Sequence, residues 1–145
     1  MSILKTITYG LLFLVLQPGF LVTLYPGDKG IFLSSETNYI SIFIHTFVLA
    51  ILLTMFEERR SLDPPKNIVT QLTTLETRDL FSVVTILLFV ILSPGLIFTL
   101  PSEEGGMLFS LETSRMSVII HTLIFIFSFG FLVNIIDKYK DNLKI

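Results

Sequence analysis

The sequence predicts an all-α integral membrane protein. Four transmembrane helices form two tandem helical hairpins, related by a pseudo-twofold axis along the membrane normal. Three observations carry that expectation. First, 52% of the 145 residues are apolar and only 15% are charged, with mean hydropathy +0.79; an average soluble domain carries about 25% charged residues. Second, the charges cluster: no Asp, Glu, Lys or Arg lies in 6–27, 37–56, 80–102 or 116–136, and about 20 apolar residues span a bilayer core. Third, the chain aligns with itself without a gap when Leu4 is set on Leu80.

From Leu4 to Leu53 the self-alignment gives 17 identities in 50 positions. Pro18-Gly19 matches Pro94-Gly95, Thr23-Leu24 matches Thr99-Leu100, and Ser34, Glu36 and Thr37 match Ser110, Glu112 and Thr113. Ile44-His45-Thr46 matches Ile120-His121-Thr122. Apolar composition alone does not align Pro-Gly, Glu-Thr and His-Thr in one register. The organisation read from this is a first two-span repeat over 1–56, a cytoplasmic linker over 57–76, and a second two-span repeat with a short basic tail over 77–145.

The first span covers about Leu4–Tyr25. Lys5 before an apolar run resembles a signal peptide, but the run continues to Leu24 without a small-x-small cleavage site, and its counterpart recurs internally at Phe81–Leu100. The expectation is a retained signal-anchor helix. Pro18 removes a backbone donor and crowds the preceding turn, freeing the carbonyl of Leu14; Pro94 does the same to Val90. In lipid such a carbonyl needs a partner. The span is therefore expected to kink at Pro-Gly, with Gly19 and Gly95 permitting close helix approach. The alternative is that the helix ends there and Phe20–Leu24 re-enters as non-helical backbone.

The loops follow. Gly30-Ile31-Phe32-Leu33 and Gly106-Met107-Leu108-Phe109 are apolar tripeptides after a glycine. They either lie in the membrane interface or pair across the pseudo-twofold as a small sheet. Thr37 or Asn38, and Thr113 or Ser114, stand where a helix N-cap is needed, and Glu36 and Glu112 stand near the positive helix end.

The second spans, about Tyr39–Phe56 and Met116–Ile136, carry His45 and His121. His45 lies six residues in from the loop side, about 9 Å deep, at the level of Pro18-Gly19, with Ser41 on the same face one turn away. Ser117, His121, Pro94 and Gly95 repeat that geometry. A neutral histidine that donates to a carbonyl freed by proline would lock the hairpin, so Pro18, Gly19, Ser41, His45, Pro94, Gly95, Ser117 and His121 form the candidate structural motif. An intramembrane ionisable residue also invites a proton-relay or ligand role. Two histidines without nearby acids are too few to hold a metal. Ser114, Ser117, His121 and Ser128 line one side of the fourth span, but Val48 and Leu52 interrupt the matching side of the second, which argues against a twofold channel.

The linker opens Glu57-Glu58-Arg59-Arg60 and passes Pro64-Pro65; beyond it Ile68, Leu72 and Leu75 make an apolar stripe suited to an interfacial helix. Eight Lys and Arg lie in the N-terminus, linker and tail, and two, Lys29 and Arg115, in the intra-repeat loops. The positive-inside rule then puts both termini on the cytoplasmic or equivalent inner side.

A net charge of −2 and the lack of basic runs give no footprint for nucleic acid. With no cysteine, disulfides and thiolate catalysis are excluded. There is no phosphate loop, no His-Glu-x-x-His, no nucleophile elbow and no channel filter motif, so no enzyme activity, catalytic residue or cofactor is implied. The expected partners are the lipid bilayer and other membrane or capsid proteins of an assembly, with homo- or hetero-oligomers as the form.

Leu88–Pro101, Glu112-Thr113-Ser114 and His121–Phe125 resemble a family of small two-span membrane proteins of plants and green algae whose function is unknown. Similar units occur in membrane proteins of large DNA viruses that infect algae. The resemblance covers roughly 11–53 and 87–129, with Gln17 in place of serine and Tyr25 before Pro26 in the first copy. It implies a membrane hairpin unit and transfers no activity. The function expected is structural: a component of a larger membrane complex or of a virion membrane. The competing reading is a small transporter or channel that uses His45 and His121.

Overall fold

The computed structural model describes residues 3–58, 77–103 and 106–143. The linker from residue 59 to 76, with its expected interfacial helix, lies outside the described residues. Among the described residues there are four helices and one short hairpin: α1 (Ile3–Leu16), α2 (Tyr39–Glu58), α3 (Thr77–Leu92), β1 (Phe98–Glu103), β2 (Gly106–Leu108) and α4 (Arg115–Leu143).

The expectation of four helices each long enough to span a bilayer is met, among the described residues, by one. Arg115–Lys138 within α4 runs 24 residues and contains an 18-residue stretch of mean hydropathy 2.3. The apolar parts of the other helices, Ile3–Leu16, Tyr39–Met55 and Leu80–Leu92, are shorter.

The helices before the loops stop where the sequence reading expected a kink. Gln17-Pro18-Gly19-Phe20 closes as a β-turn, with the Phe20 N–H donating to the Gln17 carbonyl at 3.2 Å. Ser93-Pro94-Gly95-Leu96 does the same, also at 3.2 Å. Proline in the second position and a glycine at φ 87° in the third are what a type II turn requires. A helix cannot continue through that left-handed glycine, so α1 and α3 end and the backbone continues extended. The glycines are also sterically required: a Cβ on Gly19 would lie 2.6 Å from Thr113 Cγ2, and one on Gly95 2.9 Å from the Glu112 carbonyl.

The fold is not purely helical. β1 and β2 pair antiparallel, with Phe98 opposite Leu108. In the first repeat the same pairing shrinks to a bridge between Val22 and Phe32. Leu33 N–H donates to Leu21 O and Ser35 N–H to Gly19 O; at the equivalent positions of the second repeat, Phe109 donates to Ile97 and Leu111 to Gly95. The apolar tripeptides thus pair back on their own repeats and not across the axis. The cross-repeat pairing falls to Glu36 and Glu112, which bridge antiparallel. These two residues are equivalent in the repeat register.

Each repeat's leading helix packs on the other repeat's trailing helix: α1 on α4 and α2 on α3, with α3 also against α4. The core is Phe13, Leu49, Leu53, Phe89, Leu92, Phe125, Phe129 and Val133. Phe13 stacks on Phe125 at 4.5 Å between ring centroids and meets Phe89 edge-on at 5.6 Å; such pairs contribute beyond the area they bury.

Candidate functional site

The candidate site forms twice, where each leading helix breaks. Ending α1 at Leu16 leaves its last carbonyls without intrahelical donors, and the extended strand after the turn presents amides without a sheet partner. His45, on α2, satisfies one group of each kind. Its Nδ1 lies 2.6 Å from Leu16 O, and its Nε2 accepts the Leu24 N–H at 2.9 Å. His121 takes Leu92 O at 2.7 Å and the Leu100 N–H at 3.1 Å. An amide can only donate, so Nε2 carries the lone pair and Nδ1 the proton. Both rings are therefore neutral Nδ1–H imidazoles.

The acceptor differs from the one expected. Proline frees Leu14 O and Val90 O, but these accept the Gln17 and Ser93 amides at 3.5 and 3.3 Å as the turn tightens. The histidines instead take Leu16 and Leu92, two residues later. Both imidazoles are buried, and His121 packs against the Phe98 ring at 4.9 Å.

A hydroxyl pair braces each hairpin behind the histidine. Thr23 Oγ1 and Ser34 Oγ lie 2.7 Å apart, as do Thr99 Oγ1 and Ser110 Oγ. Gly19 N–H donates to Thr23 Oγ1 at 2.8 Å. Glu36 N–H donates to Ser34 Oγ at 3.4 Å, and Glu112 N–H to Ser110 Oγ at 3.3 Å. Sequence reasoning gave these four residues no role. Their signal is polar identity between the two repeats within apolar segments.

The caps resolve between the alternatives. Asn38 Oδ1 accepts the Ser41 N–H at 2.7 Å, and Ser114 Oγ accepts the Ser117 N–H at 3.1 Å, so Asn38 and Ser114 cap α2 and α4. Thr37 and Thr113 do not cap; both are buried, and Thr113 Oγ1 donates to Pro94 O at 3.4 Å. Glu36 turns away from the helix end: it accepts the Lys29 N–H at 3.2 Å and pairs with Lys29 Nζ at 3.6 Å, which closes the 27–30 turn. With Glu112 it lines an open polar cleft of about 940 Å³ walled by residues of both repeats.

The two serines of the motif behave differently. Ser117 Oγ donates to Pro101 O at 3.2 Å. In the first repeat the matching carbonyl, Tyr25 O, is taken by Asn38 Nδ2 at 3.2 Å, and the buried Ser41 Oγ has no partner.

Both ring nitrogens of each histidine are engaged by backbone, so each ring bridges a helix end to the segment after the turn and leaves no lone pair for a ligand. Among the described residues no group of three or more His, Asp or Glu could hold a metal.

No curated protein and no solved structure matches the chain. The family described as protein of unknown function (DUF3339) matches residues 5–57 and 80–138, stretches that contain both Pro-Gly turns and both histidine clamps, and the chain belongs to that family.

Proposed function

We propose that the protein is a non-enzymatic, multi-span membrane component with a structural role, packing within a larger membrane assembly or organising an internal virion membrane. In this reading all four helices are embedded, the pseudo-twofold runs along the membrane normal, and both termini lie on the inner side.

The observation that carries it is an inverted distribution of polarity. The bundle turns Phe43, Phe47, Phe127 and Phe131 outward at 73%, 62%, 77% and 67% exposure, while Gln17, Thr23, Ser41, His45, Thr99, Ser117 and His121 are buried. Water does not favour so many large apolar side chains turned outward; lipid does. The helix breaks fit the same solvent. Helices of 14 and 16 residues reach about 21 and 24 Å at 1.5 Å per residue, short of a core about 30 Å thick. The extended hairpins would complete the crossing, and non-helical backbone is tolerated at that depth only where its polar groups are paired within the protein. The histidine clamps and hydroxyl braces supply that pairing. The resemblance to algal-virus units is what brings a virion membrane into the reading.

A transporter or channel built on His45 and His121 is the competing reading, and the engagement of all four ring nitrogens by backbone speaks against it. Two measurements separate them. The chain lacks cysteine, so single cysteines at Lys29, Arg115 and Lys66 can be labelled cleanly: the first two should react from one side and Lys66 from the other. Liposomes carrying the protein should show no histidine-dependent flux. Labelling of all three from one side contradicts the topology, and pH-sensitive flux lost in His45→Ala contradicts the structural role.

A further inference from the structure

The interface between the repeats sets unlike side chains at equivalent positions. α1 approaches α4 so closely at Gly10 that an added Cβ would overlap Ile126 Cγ1 and lie 2.7 Å from Ile126 Cδ1. In the repeat register, Gly10 corresponds to Ile86, and Ile126 to Ala50. The large and small partners therefore change sides: small on α1 against large on α4, and large on α3 at the position equivalent to Gly10, with Ala50 on α2 at the position equivalent to Ile126. Ile86 packs on the core in its turn.

The core repeats the exchange one layer away. To the core the first repeat contributes Phe13, Leu49 and Leu53, and the second Phe89, Leu92, Phe125, Phe129 and Val133. Phe13 and Phe89 are equivalents that meet edge-on, while the bulk beside them differs: Phe125 and Phe129 stand where the first repeat has leucine. A first repeat in the second's place would set Ala50 where Ile126 meets Gly10 and leave a void. Two second repeats would drive Ile86 into Ile126, at a spot with no room for a methyl group, and would put six phenylalanines where the chain has four and two leucines. Voids and overpacking both destabilise a close-packed interior.

We propose that the two repeats are matched as unlike halves: the binding partner of each repeat is the other, and neither is built to pair with a second copy of itself. The packing is the same whether or not the helices lie in a membrane.

The test uses the full chain, with a protease site inserted between Pro64 and Pro65 and different tags at the two ends. Cleaved after folding in detergent, the pieces should stay together as one 1:1 species. When two differently tagged cleaved samples are mixed, the exchanged species should each contain one N-terminal and one C-terminal piece. Separation into lone pieces, or like–like pairs at statistical yield, overturns the proposal. A second measurement uses the intact chain. Gly10→Ile should lower Tm by roughly 5–10 °C. Adding Ile126→Ala, which gives α1 and α4 the pair found at Ile86 and Ala50, should recover most of that loss, and failure to recover it also overturns the proposal.

Discussion

The Nδ1–H of His45 reaches the Leu16 carbonyl at 2.6 Å across 29 residues of sequence, and His121 reaches Leu92 across the same 29 at 2.7 Å. Each ring joins the end of one helix to the strand that follows it, from a position on the next helix. Three segments are thus fixed by one side chain.

Removing the ring orphans a buried carbonyl and an amide together. An unsatisfied buried group costs about 1–3 kcal/mol, so His45→Ala or His121→Ala should each destabilise the protein by about 2–4 kcal/mol. Thermal unfolding in detergent reads the loss. A change under about 0.5 kcal/mol in either variant would mean that the clamp carries little of the fold.

The Pro-Gly turns make a second claim. Gly19 and Gly95 sit at φ 87° with backbone or side-chain atoms against the space a Cβ would fill. Alanine there meets conformational strain and a clash at once, so Gly19→Ala and Gly95→Ala should each cost about 2 kcal/mol or more. Gly30→Ala has the same φ sign but open space around it, and should cost less than either. Equal losses at all three positions would show that the close approach contributes nothing.

The two motif serines should part company. Ser117 Oγ donates to Pro101 O, whereas Ser41 Oγ is buried without a partner. Ser117→Ala should cost about 1 kcal/mol, and Ser41→Ala should be neutral or slightly stabilising, because it removes an unsatisfied group. The difference between the two melting curves checks this; a larger loss at Ser41 would contradict the asymmetry.

Much of this is legible in the sequence. The repeat register sets Pro-Gly, histidine and the Glu-Thr segment on their counterparts, and helical geometry puts histidine and proline at one depth. What stays hidden follows from how backbone groups find partners. A proline in an apolar run reads as a kink, because kinked spans keep most of their hydrogen bonds; the following glycine at positive φ ends the helix, and its conformation is not written in residue type. Leu14 is the obvious orphan, but the tightened turn satisfies it and passes the need to Leu16. Thr23 and Ser34 stand on opposite sides of their hairpin, and only its register brings them together. Thr37 and Asn38 are equal candidates for the cap until the entry angle of the chain chooses Asn38.

Both histidines are neutral Nδ1–H clamps, and side-chain nitrogen NMR reads that protonation state. With uniformly 15N-labelled protein in detergent or bilayers, both imidazoles should show a protonated Nδ1 and an unprotonated Nε2, and the Nδ1 signals should correlate with the Leu16 and Leu92 carbonyl carbons. An Nε2–H tautomer, or a doubly protonated ring at neutral pH, would contradict the account, because neither can accept the Leu24 or Leu100 amide.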